Sequence, residues 1–441
     1  MPNFELRTFH VDVTPPVDMV VCGWHTPGVA IESPIELRGV ILSGNGTHYV
    51  IAAIDYCYMI GRSHERFEHA LADGASVPVE QATIHSDHTH DAPMMNEQAH
   101  ATIDDVYPDG PRLHDEAYFS RTLEQASNAV RDALAKPGIA IDGVAFTKYR
   151  VQKFGATRRV IDENGNCHIR WSRSNNFPQW MIDYPEGRID PDLSMITFFD
   201  GAKPAACMSF YASHPQVSCG RLTWSSDTIG VARRLFESHN PGVFPVYFTG
   251  CAGDVTAGKY TTPYLMRDQY VFGGRLFDAM QAAFEKAHPQ PLESLGWENS
   301  VNAVPLGDIP QPASYFESII VNPDSSSKER YLAALKLRRL RENIFEYPFR
   351  LSRLSLNDVG ALFMPTELIV DYQLYAQLMS QRHLRELAVS AYGDSMLDYT
   401  AIDISFEQGG YEVDERWTEV GPGIEKPIKD AILDIVSRPR D

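Results

Sequence analysis

The sequence predicts an α/β architecture, and three observations carry that prediction. Apolar, β-rich runs alternate along the chain with stretches of helical periodicity. No segment repeats another, which together with that alternation argues for α/β. Strands end on residues able to do chemistry, so polar groups collect at strand tips.

Taken in order, Glu36-Leu-Arg-Gly-Val-Ile-Leu and Tyr49-Val-Ile-Ala-Ala-Ile flank Ser43-Gly-Asn-Gly. Two β-rich runs around an Asn-Gly turn signal a hairpin, and its second strand ends on Asp55. A helix is predicted over 64–72, and Gln81-Ala-Thr-Ile-His is the next strand. Residues 114–136 read as a helix, because Ala117, Leu123, Ala126, Val130 and Leu134 recur at helical spacing before Pro137-Gly138 stops the run. Residues 153–190 are rich in Gly, Asn, Pro and Trp, without periodicity. A stretch of this kind is more often functional than filler.

Beyond it, Leu193-Ser-Met-Ile-Thr-Phe-Phe and Ala205-Ala-Cys-Met-Ser-Phe-Tyr-Ala form strands around an Asp-Gly turn. Helix 228–238, strand 243–248 and helix 268–287 follow. The Pro- and Ser-rich stretch 306–328 is predicted to be a surface connection inside a single domain spanning 1–441. A charged helix at 328–344, strands near 351–356 and 359–364, and a helix at 367–380 complete the series.

The chain has 441 residues and is 44% hydrophobic, enough for a large core. Its 39 basic and 58 acidic residues give a net charge of -19, which disfavours nucleic acid and anionic lipid as partners. A small molecule is the expected partner. No apolar run approaches the ~20 residues that cross a bilayer. The start, Met1-Pro-Asn-Phe-Glu-Leu-Arg, carries no secretory pattern. Six scattered cysteines without a Cys-x-x-Cys pair read as reduced thiols, so cytoplasmic residence is expected.

Candidate chemistry begins at His85-Ser-Asp-His88-Thr-His90. If the strand continues, His88 and His90 share a face and suit a metal or proton transfer. Alone, the pair reads more readily as a surface histidine cluster solvated by Asp87 and Asp91. His214 stands where an apolar strand leaves the core before Pro215; alone it is a packing residue. Ser226 or Asp227 has the position of a helix cap. Gly250-Cys-Ala-Gly253-Asp254-Val lacks the Lys-Ser/Thr ending of a phosphate loop and reads as a tight wall. Glu367, after Pro365-Thr366, is by itself a first-turn helix acid.

The order of these pieces resembles the neutral/alkaline ceramidase family. His88-Thr-His90 before a small residue and proline is similar to that family's His-Thr-His-Ser-Gly-Pro stretch. Ala212-Ser-His214-Pro with Ser226-Asp227-x-x-Gly230 resembles its second histidine block and the Gly-Asp-Asn-Lys-Gly stretch after it. Gly253-Asp254-Val resembles Gly-Asp-Val-Ser-Pro, and Pro365-Thr-Glu367 its Gly-Glu block. Asp398-Tyr399-Thr and Gly410-Tyr411-Glu412 resemble its tyrosine sites, and Val11-Asp-Val-Thr-Pro its opening motif.

The resemblance implies mixed β-sheets with flanking helices, as in a ceramidase catalytic domain. It implies zinc held by His88, His214, Glu367 and Tyr399, with His90, Tyr411 and an arginine around the reacting carbonyl. Arg158 is the favoured arginine, with neighbouring Arg159 the alternative. Such a centre acidifies water towards ~7, His90 moves the proton, and Arg158 and Tyr411 steady the oxyanion. An amide of N-acyl amine type is then the expected substrate.

The chain departs from the family in Asp91-Ala92 for Ser-Gly and in Thr228-Ile229 for Asn-Lys, and no C-terminal immunoglobulin-like domain is expected. With the acidic charge, these departures favour a polar substrate over ceramide. The aromatic segment Asn175-Asn-Phe177-Pro-Gln-Trp180-Met-Ile-Asp-Tyr184 is a candidate groove lining or a satellite core. Alternatives on the same site are an esterase, another carbonyl- or sugar-directed enzyme, or a non-catalytic binding protein. An amidohydrolase barrel, which shares His-x-His, ranks last.

Overall fold

The computed structural model describes residues 4–21, 26–110, 114–172 and 177–439. Three larger sheets, of five, five and four strands, dominate it. In the first, β1 (Phe4–Asp12), β2 (Glu36–Gly44) and β3 (Thr47–Ile54) run antiparallel. Helix α1 (Arg62–Ala75) then crosses to β4 (Ala82–Ser86), parallel to β3. Helix α2 (Glu116–Leu134) packs beside α1.

The second sheet repeats this order. After β5 (Gly143–Arg150), strands β6 (Asp192–Asp200) and β7 (Lys203–Tyr211) form a hairpin. Helix α3 (Asp227–His239) crosses to β8 (Phe244–Thr249), parallel to β7, and α4 (Leu265–Glu285) packs on α3.

The third sheet does so again. Strand β9 (Leu295–Pro305) pairs with β10 (Glu346–Leu356), which forms a hairpin with β11 (Val359–Phe363). Helix α5 (Val370–Ser380) crosses to β12 (Glu386–Ser390), parallel to β11, and α6 (Glu425–Val436) lies against α5. A hairpin, a helix and a parallel strand thus occur three times, although no sequence repeat announces it.

Alternation of side chains explains how the sheets assemble. Along β2 and β3, Val40, Leu42, Ile51 and Ala53 face one core, while Ile41, Val50, Ala52 and Ile54 meet α1 and α2. In the second sheet Ile196, Phe198, Met208 and Phe210 join that same first core, and Met195 and Cys207 meet α3 and α4. From the third come Leu354, Ala361 and Phe363, with Leu362 and Val389 turned to α5 and α6. The three sheets therefore enclose one shared core, and helices cover their outer faces. Strands buried on both sides are apolar throughout.

Turn chemistry fixes the hairpins: Asn45 and Gly46 take φ of 56° and 80°, as a two-residue type I′ turn requires. The predicted elements are present within a few residues, with two corrections. Stretch 306–328 is more than a connection, since Ala313–Val321 is helical and buries Phe316 and Ile320 against Tyr331 and Ala334. Strands β1, β5, β9 and β12 and helix α6 are not among the predicted elements; β9 gives no signal because it alternates partly exposed residues with few apolar ones. None of the larger sheets closes into a barrel among the described residues. No helix there is long and apolar enough to cross a membrane.

Candidate metal centre

In each sheet the paired parallel strands point their carboxyl ends to one region, where open α/β sheets form sites. His88 lies just past β4, His214 just past β7, and Glu367 just past β11. Residues Glu367-Leu368 pair in parallel with Tyr399-Thr400, which sets Glu367 directly opposite Tyr399. Four side chains distant in sequence thereby converge.

Their geometry is specific. His214 Nε2 is 2.8 Å and His88 Nε2 3.3 Å from Glu367 Oε1. Tyr399 Oη lies 3.3 Å from His214 Nε2, and His90 Nε2 lies 3.3 Å from His88 Nε2. His88, His214 and Glu367 have no solvent exposure. The other ring nitrogens face backbone carbonyls, Nδ1 of His88 towards Cys57 O at 3.1 Å and Nδ1 of His214 towards Ala252 O at 2.6 Å. A carbonyl only accepts, so the protons sit on Nδ1 and the Nε2 lone pairs point inward.

Burial pushes His214 down to about 4, keeping its imidazole neutral. Three lone-pair donors thus face one another, and Glu367 Oε1 is buried without a hydrogen-bond partner. Such an orphan is costly. It fits a cation bound by two nitrogens and one carboxylate oxygen, a donor set suited to zinc.

Backbone detail explains the placement. His88 takes φ of 64°, so the strand does not continue through it and the shared-face argument for His88 and His90 fails. The turn itself brings the two rings together, 4.8 Å apart. Glu367 precedes α5 instead of opening it, which replaces the helix-acid reading. Ser226 holds the N-cap position of α3, but its side chain makes no capping bond; its Oγ lies 3.1 Å from Ser33 Oγ. The glycine-rich segment is the expected wall: a Cβ on Gly253 would meet Glu367 O at 3.0 Å. Only glycine lets that wall approach the ligand strand so closely.

Arg158 and Arg159 separate cleanly. The Arg158 guanidinium lies 5.0 Å from the Tyr399 ring centroid and 4.8 Å from that of Tyr411, and Nε donates to Glu412 Oε1 at 2.8 Å. Arg159 turns away, donating to Glu412 Oε2 and to Gly409 O, each at 2.7 Å. Burial pushes the Tyr399 phenol well up, with Arg158 pulling against it. Tyr411 meets Tyr399 (5.3 Å) and the half-exposed Trp171 (5.2 Å) edge-on and lies tilted against Trp417 (5.5 Å). Of the aromatic segment singled out above, Asn175 and Asn176 lie outside the described residues. Trp180 packs on His168 at 5.2 Å, and Trp171, which the sequence reading passed over, is the tryptophan beside Tyr411.

No protein-family model and no curated protein sequence matches this chain. Among solved structures, a ceramidase complexed with C2 superposes with a TM-score of 0.74 at 14% identity, covering 100% of this chain and 76% of that one. A neutral ceramidase from Pseudomonas aeruginosa gives 0.73 at 13%, with the same coverage. The chain has the neutral ceramidase fold. The expected mixed sheets with flanking helices are those of that fold.

A pair of buried carboxyls is legible only in three dimensions. Ser218 Oγ donates to Asp227 Oδ2 at 2.8 Å and lies 3.4 Å from Asp91 Oδ2. Burial first, then Asp227, pushes Asp91 up to about 7, and burial pushes Asp227 up to about 6. Carboxyls raised in the folded state bind more protons folded than unfolded. Stability therefore falls as pH climbs from the ordinary carboxyl range through 6 and 7. We expect a lower Tm at pH 8 than at pH 5.5, and a smaller difference in Asp91→Asn. An undiminished difference in that variant would clear the pair of responsibility.

Proposed function

We propose that this chain is a zinc-dependent hydrolase cleaving an amide of N-acyl amine type, with His88, His214, Glu367 and Tyr399 as metal ligands. The observation that carries the reading is the buried, partnerless Oε1 of Glu367 between two inward-facing Nε2 atoms. Support for an amide comes from the ceramidase resemblance and the shared fold. A zinc ion supplies Lewis acidity and an acidified water at neutral pH.

The chain's own groups do the rest. His90, half-buried beside His88, is placed to take and return a proton; burial and the neighbouring imidazoles push its pKa well down, so it waits as a base. Arg158, fixed by Glu412, holds positive charge over Tyr399 and Tyr411. With the Tyr411 hydroxyl it steadies negative charge developing on the carbonyl oxygen. The Tyr399 phenol would be the weakest member of the ligand set, the one most easily exchanged for water or substrate. The acidic balance of the chain favours a polar substrate over ceramide.

The test is a panel of short and long N-acyl amines, esters and glycosides, run with wild type and His88→Ala after zinc analysis. Turnover of amides that disappears in His88→Ala supports the proposal. Less than about half an equivalent of zinc, with no gain on adding it, removes it. Tyr411→Phe is expected to keep its zinc and lose about 10²-fold in kcat. Loss of zinc in that variant would contradict the role given to Tyr411.

A further inference from the structure

Between β3 and α1, the chain from Asp55 to Ile60 passes beneath the cluster, and one of its side chains has no role so far. The Tyr58 hydroxyl donates to Glu367 Oε2 and lies 3.3 Å from Asp398 Oδ1. Its ring sits 4.8 Å from that of His88, tilted by 51°. Asp398 is bound into the same knot: its carbonyl accepts from Glu367 N at 3.2 Å and from Thr366 Oγ1 at 2.7 Å, and Tyr399 follows it in the chain. One residue of the first sheet's loop therefore touches ligands His88 and Glu367, and reaches the Tyr399 strand through Asp398.

The two oxygens of Glu367 consequently differ. Oε2 has a donor in Tyr58, whereas Oε1 has none and faces the two imidazoles. We propose that Tyr58 is a positioning residue that makes Glu367 a one-oxygen metal ligand, by engaging Oε2 and turning Oε1 inward. The inference rests on the metal-hydrolase reading above. Its physical basis is that a carboxylate turns freely about its terminal torsion unless its oxygens are engaged. Without the hydroxyl, Oε2 is buried with no donor, and both oxygens are free to approach the cation. A second oxygen would fill the position a catalytic zinc keeps open. Partners of this kind typically change metal affinity by about 10- to 100-fold.

The test uses the full-length chain, wild type against Tyr58→Phe, which keeps the ring contact with His88. Zinc affinity is measured by competition with a chromophoric chelator, and coordination is read from the visible spectrum after cobalt substitution. We expect zinc binding about 10- to 100-fold weaker in the variant. We also expect the cobalt bands to shift towards a higher coordination number in the variant, which a merely structural role would not produce. Affinity within about threefold of wild type, with unchanged bands, overturns the inference. Should Tyr58→Phe fold poorly, X-ray absorption on the wild-type zinc protein decides the same point: one carboxylate oxygen supports it, and two refute it. Wild type that takes up no zinc refutes the metal centre itself, which distinguishes that failure from a failure of the role of Tyr58.

Discussion

Glu367→Ala is expected to retain less than about a tenth of an equivalent of zinc and to lose more than about 10³-fold in activity. The carboxylate is the only charged member of the proposed ligand set, and its Oε1 is the atom both imidazoles face. A further outcome separates a functional residue from a structural one. Without metal, a buried acceptor lacking a donor is a liability, so metal-free Glu367→Ala should melt no lower than metal-free wild type. Zinc should then raise the Tm of wild type alone, by the linkage that yields about 2.7 kcal/mol at a hundredfold excess over Kd. Melting of the metal-free variant well below metal-free wild type would show that the carboxylate holds the fold together.

Arg233→Met is the second large effect, and it acts on stability. Arg233 is 3% exposed and donates to Asp55 Oδ1 at 2.9 Å and Oδ2 at 2.7 Å, and to Glu36 Oε2 at 2.7 Å. Burial pushes the Asp55 carboxyl up, but Arg233 outweighs it and the group sits below its ordinary value. Asp87, buried next to it, is pushed well up by burial and by Asp55. Removing the guanidinium leaves this acidic pair buried without a counterion, a change that typically costs about 3–5 kcal/mol. Denaturant unfolding of wild type and variant measures it, and adding Asp55→Asn and Asp87→Asn should restore much of the loss. A loss below about 1 kcal/mol in the single variant would mean that the pair is already compensated elsewhere. The sign with pH is fixed by Asp55: its pKa is lowered on folding, so its contribution is full above the unfolded value and fades as acid protonates it.

Some of this was readable from the chain because it is locally encoded. The hairpin at Asn45-Gly46 declares itself through turn chemistry, and the helix at 116–134 through apolar spacing. His88, His214, Glu367 and Tyr399 were found through the order of short motifs; individually His214 and Glu367 look like packing and capping residues. What escaped depends on contacts across the fold. Tyr58 is one tyrosine among 20 until β11 delivers Glu367 to its hydroxyl. Arg158 and Arg159 are neighbours with the same chemistry, and only the turn of the backbone after Thr157 decides which one faces Tyr399. The His88-His90 argument assumed extended backbone where the chain adopts positive φ.

The threefold recurrence of hairpin, helix and parallel strand has a consequence for how the protein is made. Each of the three units delivers only a fraction of the proposed ligand set, and its last member, Tyr399, follows the final strand of the third. A nascent chain would complete that set only after this residue has emerged and all three units have docked. On the proposed reading, full coordination of the ion would be a late event in biogenesis, a clasp that shuts only on a finished assembly.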